Sequence, residues 1–252
     1  SGDALTCLSG RTAIYRRKAL LPVLNDMFNE TFWGKRVISG EDKRLTYLIQ
    51  AKGWKVKYQS NARVYTFGTD KMSEYFKQRL RWTRNSWRAD LRAMWEGWVW
   101  KHTALSLYLL DRVVQPFTLL ISPIYLITTL LLGQWLIALI IVIWWHISRF
   151  IKIYSHLRRK PKNLLLLPHY IITSFITAII KIFALFTMNH QGWVTRWDTN
   201  RLPKLRFFKL VPAYAATTLT LVVLAFGLFS YKQNVLYQQL YLSRQQISEA
   251  TI

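Results

Sequence analysis

Two stretches carry side chains whose types and spacing could do chemistry. In the first, Gly40-Glu41-Asp42 sets two carboxylates just ahead of Leu45, Leu48 and Ile49, a spacing that predicts a helix ended by Gly53. Backbone N–H groups and the helix dipole favour carboxylates at such an N-terminus. A carboxylate within hydrogen-bond reach of a hydroxyl can take its proton. An acidic pair there is also an ordinary way to begin a helix. The second stretch, Gln78-Arg79-Leu80-Arg81-Trp82, sets an amide, a guanidinium and an indole on adjoining helical turns. That combination suits an anion held beside a flat, partly apolar ligand.

The elements that must position these groups can be read around them. A helix is expected from about residue 71 to 95, with Lys77, Arg81, Arg84, Arg88 and Arg92 three or four apart on one face. Met72, Tyr75, Phe76, Leu80, Trp87, Leu91, Met94 and Trp95 supply a neighbouring apolar face. Arg84, Arg88 and Arg92 are expected to lie against lipid headgroups rather than in a site. Upstream, Leu5 to Leu8 reads as a strand, Ser9-Gly10 as a turn, and the residues after it as a second strand or helix start that Pro22 breaks. Trp33 to Arg36 is a loop, while Trp54 to Tyr58 and Arg63 to Thr66 alternate like strands. Strand, helix and strand in that order suggest part of an α/β layer.

The chain has 252 residues, is 52% hydrophobic and carries a formal charge of +23. A soluble protein this basic would suggest a nucleic-acid partner. Here, though, long apolar runs alternate with short basic clusters from about residue 104 onward, the layout of a membrane protein with cytoplasmic Lys and Arg. No nucleic-acid partner is expected, and the lipid bilayer is. The single Cys7 excludes a disulfide within the chain. Trp95, Trp98 and Trp100 match a headgroup-level aromatic belt. Spans are expected at about Val113–Leu132 and Trp135–Phe150, roughly the length a bilayer core needs. The next apolar segment, 164–188, contains Pro168, His169 and Lys181, and a crossing there would leave Arg196, Arg201, Lys204, Arg206 and Lys209 outside. It is therefore expected to lie along the interface. A third span, Val211 to Ser230, leads to a polar tail outside.

Together the two motifs resemble the processive inverting β-glycosyltransferases of family 2, which include cellulose, chitin, hyaluronan and alginate synthases. Gly40-Glu41-Asp42-Lys43-Arg44-Leu45-Thr46 is similar to hyaluronan synthase GDDRxLT and alginate G(E/D)DK. Gln78-Arg79-Leu80-Arg81-Trp82 is similar to Q(Q/R)xRW. Leu8 to Arg16 looks like the family's small-residue segment ending in an aromatic–arginine pair, and Gln191-Gly192-Trp193-Val194-Thr195-Arg196 resembles both WGTR and the FxVTxK gating loop. The resemblance covers most of the chain up to Ser230. It implies the C-terminal part of a GT-A domain over residues 1–70, and amphipathic interface helices over 71–103. A translocation region of about three transmembrane helices follows over 104–230, with an interfacial segment 164–188 and a cytosolic gating-like loop 189–209. The fold class is thus α/β plus membrane α-helical, with a polar tail at 231–252.

The resemblance also implies roles. Asp42 matches the base, with Glu41 beside it. Gln78, Arg81 and Arg196 match the donor diphosphate site, and Trp82, Ser9, Gly10 and Cys7 the acceptor site, although Cys7 and Trp82 could equally be packing residues. Trp193 and Thr195 match the gating loop, Trp193 having the alternative of a membrane-belt residue. The partners implied are a UDP- or GDP-linked sugar and the growing polysaccharide. The setting implied is a multi-pass inner (plasma) membrane protein with its catalytic part cytoplasmic. The family's Asp-x-Asp ligands of Mg²⁺ or Mn²⁺ have no counterpart, since Asp3 stands alone, so no metal site is expected within this chain. The chain reads as a C-terminal portion, without the donor-binding half, expected not to transfer sugar by itself. Two other readings are a non-processive glycosyltransferase with a lipid-linked acceptor, and a transporter or channel subunit. The Gln191 to Arg196 run argues against the first, and the absence of internal repeats against the second.

Overall fold

The computed structural model describes residues 3–10, 12–59, 61, 62, 64–66, 68, 69, 71–190 and 207–250, without the side chains of 207–209 and 244–250. Two compact units divide the chain, the first formed by 1–115 and 180–213 and the second by 116–179 and 214–252.

The first unit holds the candidate chemistry. Helix α1 (Arg17–Phe28) leads into a minimal hairpin, β1 (Thr31–Phe32) with antiparallel β2 (Lys35–Arg36). Trp33 and Gly34 both have positive φ, 49° and 73°, the turn geometry that suits a two-residue connection. Helix α2 (Glu41–Ala51) and the long α3 (Met72–Trp95) follow, then a short 3₁₀ turn and the start of α4 (Thr103–Leu131). Two apolar clusters hold the helices together: Ala19, Val23, Leu45, Leu48, Ile49 and Val56 between α1 and α2, and Tyr47, Ala89, Ala93, Trp98, Val99, Leu105 and Leu109 among α2, α3 and α4.

Several expectations change here. Pro22 lies inside α1, in its second turn, and does not end the helix. Among the described residues, Leu5 to Leu8 and Trp54 to Tyr58 form no strand. They meet through a hydrogen bond from the Val56 N–H to the Asp3 carbonyl, at 2.9 Å, and Lys55 pairs with Asp3 at 2.8 Å. The described part of Arg63 to Thr66 is irregular as well. Trp98 is a core residue against Tyr47 rather than a belt residue, while Trp95 is 92% exposed.

Beyond α3 the chain is nearly all helical: α4, α5 (Trp135–Leu157), α6 (Leu167–Phe186) after a 3₁₀ turn at Pro161–Leu166, and α7 (Phe207–Ala250). Among the described residues, four helical stretches are long and apolar enough to cross a membrane, namely Thr103–Leu131, Trp135–Leu157, Pro161–Phe186 and Leu210–Ser243. Leu136, Trp144 and Ile151 on α5 are exposed, as lipid-facing side chains would be. The apolar 164–188 segment, expected at the interface, thus contains a full helix whose length and composition would also suit a crossing. The tail after Ser230 continues α7 as helix.

Candidate functional site

Helix α2 starts at Gly40, whose φ of 98° lies in the left-handed region. A Cβ at this position would stand 3.0 Å from the side chain of Asn85, so α3 approaches the start of α2 as closely as a glycine permits. The two acids after it differ in what they do. Glu41 is exposed, and its Oε2 accepts the Gly40 N–H at 3.0 Å. Asp42 is half-buried, and its Oδ1 accepts the Lys43 N–H at 2.7 Å.

The segment before α1 is drawn along α2 by side chains rather than by a sheet. Gln50 Oε1 accepts the Leu5 N–H at 2.8 Å, and its Nε2 donates to the Leu5 carbonyl at 2.9 Å. Thr46 Oγ1 accepts the Leu8 N–H at 2.8 Å and donates to the Asp42 carbonyl at 2.7 Å. This lays residues 7–10 over the first turn of α2. A Cβ on Gly10 would lie 3.9 Å from that of Asp42. The Ser9 carbonyl accepts the Thr12 N–H at 3.0 Å, closing an exposed turn. Cys7 is a free, exposed cysteine whose thiol lies near the Asp42 carboxylate. Burial first, and the Asp42 charge second, push that thiol up to about 12. At neutral pH it is therefore held as the thiol rather than the thiolate. Tyr15 is half-buried, and partial loss of water raises its phenol.

Beneath Asp42 lies a cluster that spacing did not reveal. Asp90 of α3 is 3% exposed and meets three partners. Lys43 Nζ lies 2.5 Å from its Oδ1, the Tyr47 hydroxyl donates to the same oxygen at 2.6 Å, and Arg112 of α4 is 3.6 Å from Oδ2. Burial pulls Lys43 from 10.5 to about 8 despite the neighbouring carboxylate, and it drives Tyr47 far upward. The available signal was that Glu74 and Asp90 are the acids of an otherwise basic α3.

The basic stripe of α3 proves to be internal. At 3.6 residues per turn, Gln78, Arg81, Asn85, Arg88 and Arg92 fall within an arc of about 80°. Arg88, 3% exposed, donates to the Met188 carbonyl at 2.7 Å, to Asn85 Oδ1 at 2.5 Å and to the Ser39 carbonyl at 3.3 Å. Arg92 pairs with Glu30 at 2.5 Å and donates to the Thr31 carbonyl, and Arg84 donates to Thr187 Oγ1 at 2.9 Å. The expected headgroup face of Arg84, Arg88 and Arg92 is thus replaced by links inside the first unit, because buried carbonyls and Glu30 supply the acceptors. Glu30 is raised by burial, which outweighs the nearby Arg44 and Arg92.

Gln78 and Arg81 are partly buried on this stripe, two turns and one turn before Asn85. Trp82 is 42% exposed, with the Arg79 guanidinium 5.7 Å from its ring centre and 5.0 Å from that of Tyr75. Asn85 is the physical connection between this motif and the Gly40-Glu41-Asp42 turn. Trp193, Thr195 and Arg196 lie outside the described residues. Among the described residues, no three of His, Cys, Asp and Glu converge as a group that could hold a metal ion.

A half-buried carboxylate at a helix N-terminus, a small-residue segment over it and a Gln-Arg-Trp helix beside it thus precede helices of membrane-spanning length. Residues 2–85 match the family described as glycosyltransferase like family 2, which bears out the resemblance to the processive synthases of that family. An N-acetylglucosaminyltransferase of Neorhizobium galegae is 29% identical over 204 residues, 80% of this chain and 47% of that protein. An N-acetylglucosaminyltransferase of Rhizobium sp. (strain N33) is 36% identical over 91 residues, 36% of this chain and 20% of that protein. Hyaluronan synthase 3 of Gallus gallus is 26% identical over 237 residues, 91% of this chain and 39% of that protein. The chain spans about half or less of the length of these relatives.

Proposed function

We propose that this chain is the acceptor-side and membrane portion of a processive, inverting β-glycosyltransferase that elongates a polysaccharide from a nucleotide sugar and exports it. The observation that carries this reading is the meeting of the 7–10 segment with Asp42, beside the helix that bears Gln78, Arg81 and Trp82. Asp42 takes the proton of the acceptor hydroxyl as its oxygen bonds to the anomeric carbon, and the bond to the diphosphate breaks on the opposite face. The Cys7 thiol stands near this carboxylate. Arg81 and Gln78 receive the leaving diphosphate, and Trp82 supports the terminal sugar ring. Arg196, Trp193 and Thr195 close over the nucleotide. The Mg²⁺ or Mn²⁺ of the full-length enzyme belongs with residues outside this chain. The relatives' names favour a UDP-linked N-acetylhexosamine among the donors.

Contacts within the first unit also support three spans. The end of α6 is hydrogen-bonded to α3 through Arg84, Trp87 and Arg88, and α3 precedes α4. If α4 and α5 each cross once, α6 begins on the side of α3 and must end there. A helix with both ends on one side lies along the interface. α7 then crosses outward, with the catalytic part and basic loops cytoplasmic.

The test uses the full-length protein in membranes, supplied in turn with labelled UDP-N-acetylglucosamine, UDP-glucose, UDP-glucuronate and a GDP-sugar. Polymer from one or more donors, abolished by Asp42→Asn, is expected. Polymer synthesis that survives Asp42→Asn at more than about a tenth of the wild-type rate sinks the assignment of the base.

A further inference from the structure

We propose that Arg88 is a positioning residue that makes the orientation of Asp42 depend on the end of α6. This rests on the reading of Asp42 as base. The guanidinium is buried between two segments far apart in sequence. One nitrogen donates to the Met188 carbonyl, just past α6. The other donates to the Ser39 carbonyl and to Asn85 Oδ1, directly before the Gly40 turn. Asn85 Oδ1 also accepts the Ser39 hydroxyl at 3.0 Å, and the Asn85 side chain fills the space that Gly40 leaves. The backbone that starts α2, and with it the direction of Asp42, is thus held by Asn85 and Arg88 alone among the α3 side chains whose contacts are described here.

The chemistry of the group explains why one residue can do this. A planar fork with five donors can serve acceptors on two sides at fixed angles, which the single point charge of a lysine cannot. Thr187, next to Met188, is held by Arg84, and the Trp87 indole donates to the Lys181 carbonyl at 2.8 Å. The last turn and a half of α6 is therefore fastened to α3 along its length. Arg88 carries the connection onward to Ser39. A displacement of the chain at Met188 pulls on the same guanidinium that fixes Ser39, one residue before the turn.

The experiment uses the full-length protein with Arg88→Lys, Asn85→Ala and, as a control on the same helix, Arg92→Lys. Hydrogen exchange is followed for peptides covering 38–43 and 183–189. In Arg88→Lys both peptides are expected to exchange at least about tenfold faster, and in Asn85→Ala the first chiefly. In Arg92→Lys neither should change. In turnover, Arg88→Lys is expected to lower kcat tenfold or more with the donor KM within about threefold, while Arg92→Lys retains kcat. Loosening of only one of the two peptides by Arg88→Lys overturns the coupling, as does a change confined to KM. Should Arg88→Lys fail to fold, an unchanged 38–43 peptide in Asn85→Ala overturns it instead. The exchange readout needs no sugar transfer, so a wild-type protein without activity counts against the proposed function and leaves the coupling to be decided by exchange.

Discussion

Lys43 offers a measurement in which sign and size both follow from the structure. Its ammonium is enclosed with Asp90, Tyr47 and Arg112, and burial lowers it from 10.5 to about 8. A lysine depressed on folding destabilises the fold where both states are protonated, below pH 8. Between pH 8 and about 10.5 the unfolded chain binds more protons, so stability rises with pH, and above 10.5 the cost is gone. At about 1.4 kcal/mol per unit, the drop corresponds to about 3 kcal/mol relieved across that window. Lys43→Met removes this rise while leaving Asp90 with the Tyr47 hydroxyl and Arg112. The assay is thermal unfolding of the detergent-solubilised full-length protein and the variant at half-unit steps from pH 7 to 10.5, followed by tryptophan fluorescence. The stability of the wild type relative to Lys43→Met should climb by about 3 kcal/mol toward high pH. Asp90→Ala, which leaves the buried Lys43 ammonium without its carboxylate beside the part-exposed Arg112, should cost about 3–5 kcal/mol at pH 7. Parallel wild-type and Lys43→Met curves would refute the buried, depressed lysine.

Two further outcomes are expected. At pH 8, alkylation of Cys7 by a small neutral reagent should be at least a hundredfold slower than that of an unhindered thiol, because the thiol lies at about 12, and Asp42→Asn should speed it by removing the charge that helps to raise it. Equal rates for both proteins would separate Cys7 from Asp42. Tags placed at Asn200 and after Ile252 should report opposite sides of the membrane, and the same side for both sinks the three-span topology.

How much of this could be read from the sequence depended on whether the deciding partner was close along the chain. The start of α2 at Glu41 was legible because its dipole-favoured acids and its apolar spacing are local. So was α3, a 24-residue amphipathic helix, and so were α4 and α5. Alternation at Trp54 to Tyr58 suggested one buried face, but only Val56 enters the core, while Trp54 and Tyr58 are exposed. It did not make a strand, because a strand also needs a ladder partner, and Val56 meets Asp3 through one backbone hydrogen bond. The arginines of α3 were misread for a related reason. Spacing shows that they share a face, but whether that face meets lipid or protein depends on carbonyls at Ser39 and Met188, 49 and 100 residues away from Arg88.

The same distance dependence sharpens the site itself. Acids adjacent in sequence, Glu41 and Asp42, part company in the fold. Glu41 is spent on the Gly40 N–H at the surface, while Asp42 turns toward Cys7 and Gly10 above the Lys43–Asp90 pair. Lys43, the residue that donates its N–H to the Asp42 carboxylate, sends its side chain into that buried pair. Asn85 and Arg88 hold the backbone on the other flank of the acids. The carboxylate is therefore fixed from both sides by groups of α3, the helix that also bears Gln78, Arg81 and Trp82. A rigid α3 sets base and motif together, so the spacing between Asp42 and Trp82 along the chain matters less than the contact at Gly40 and Asn85. Lengthening the irregular stretch near Asn61 by two or three residues should accordingly be tolerated, whereas replacing Gly40 by alanine drives a Cβ into Asn85 and should not.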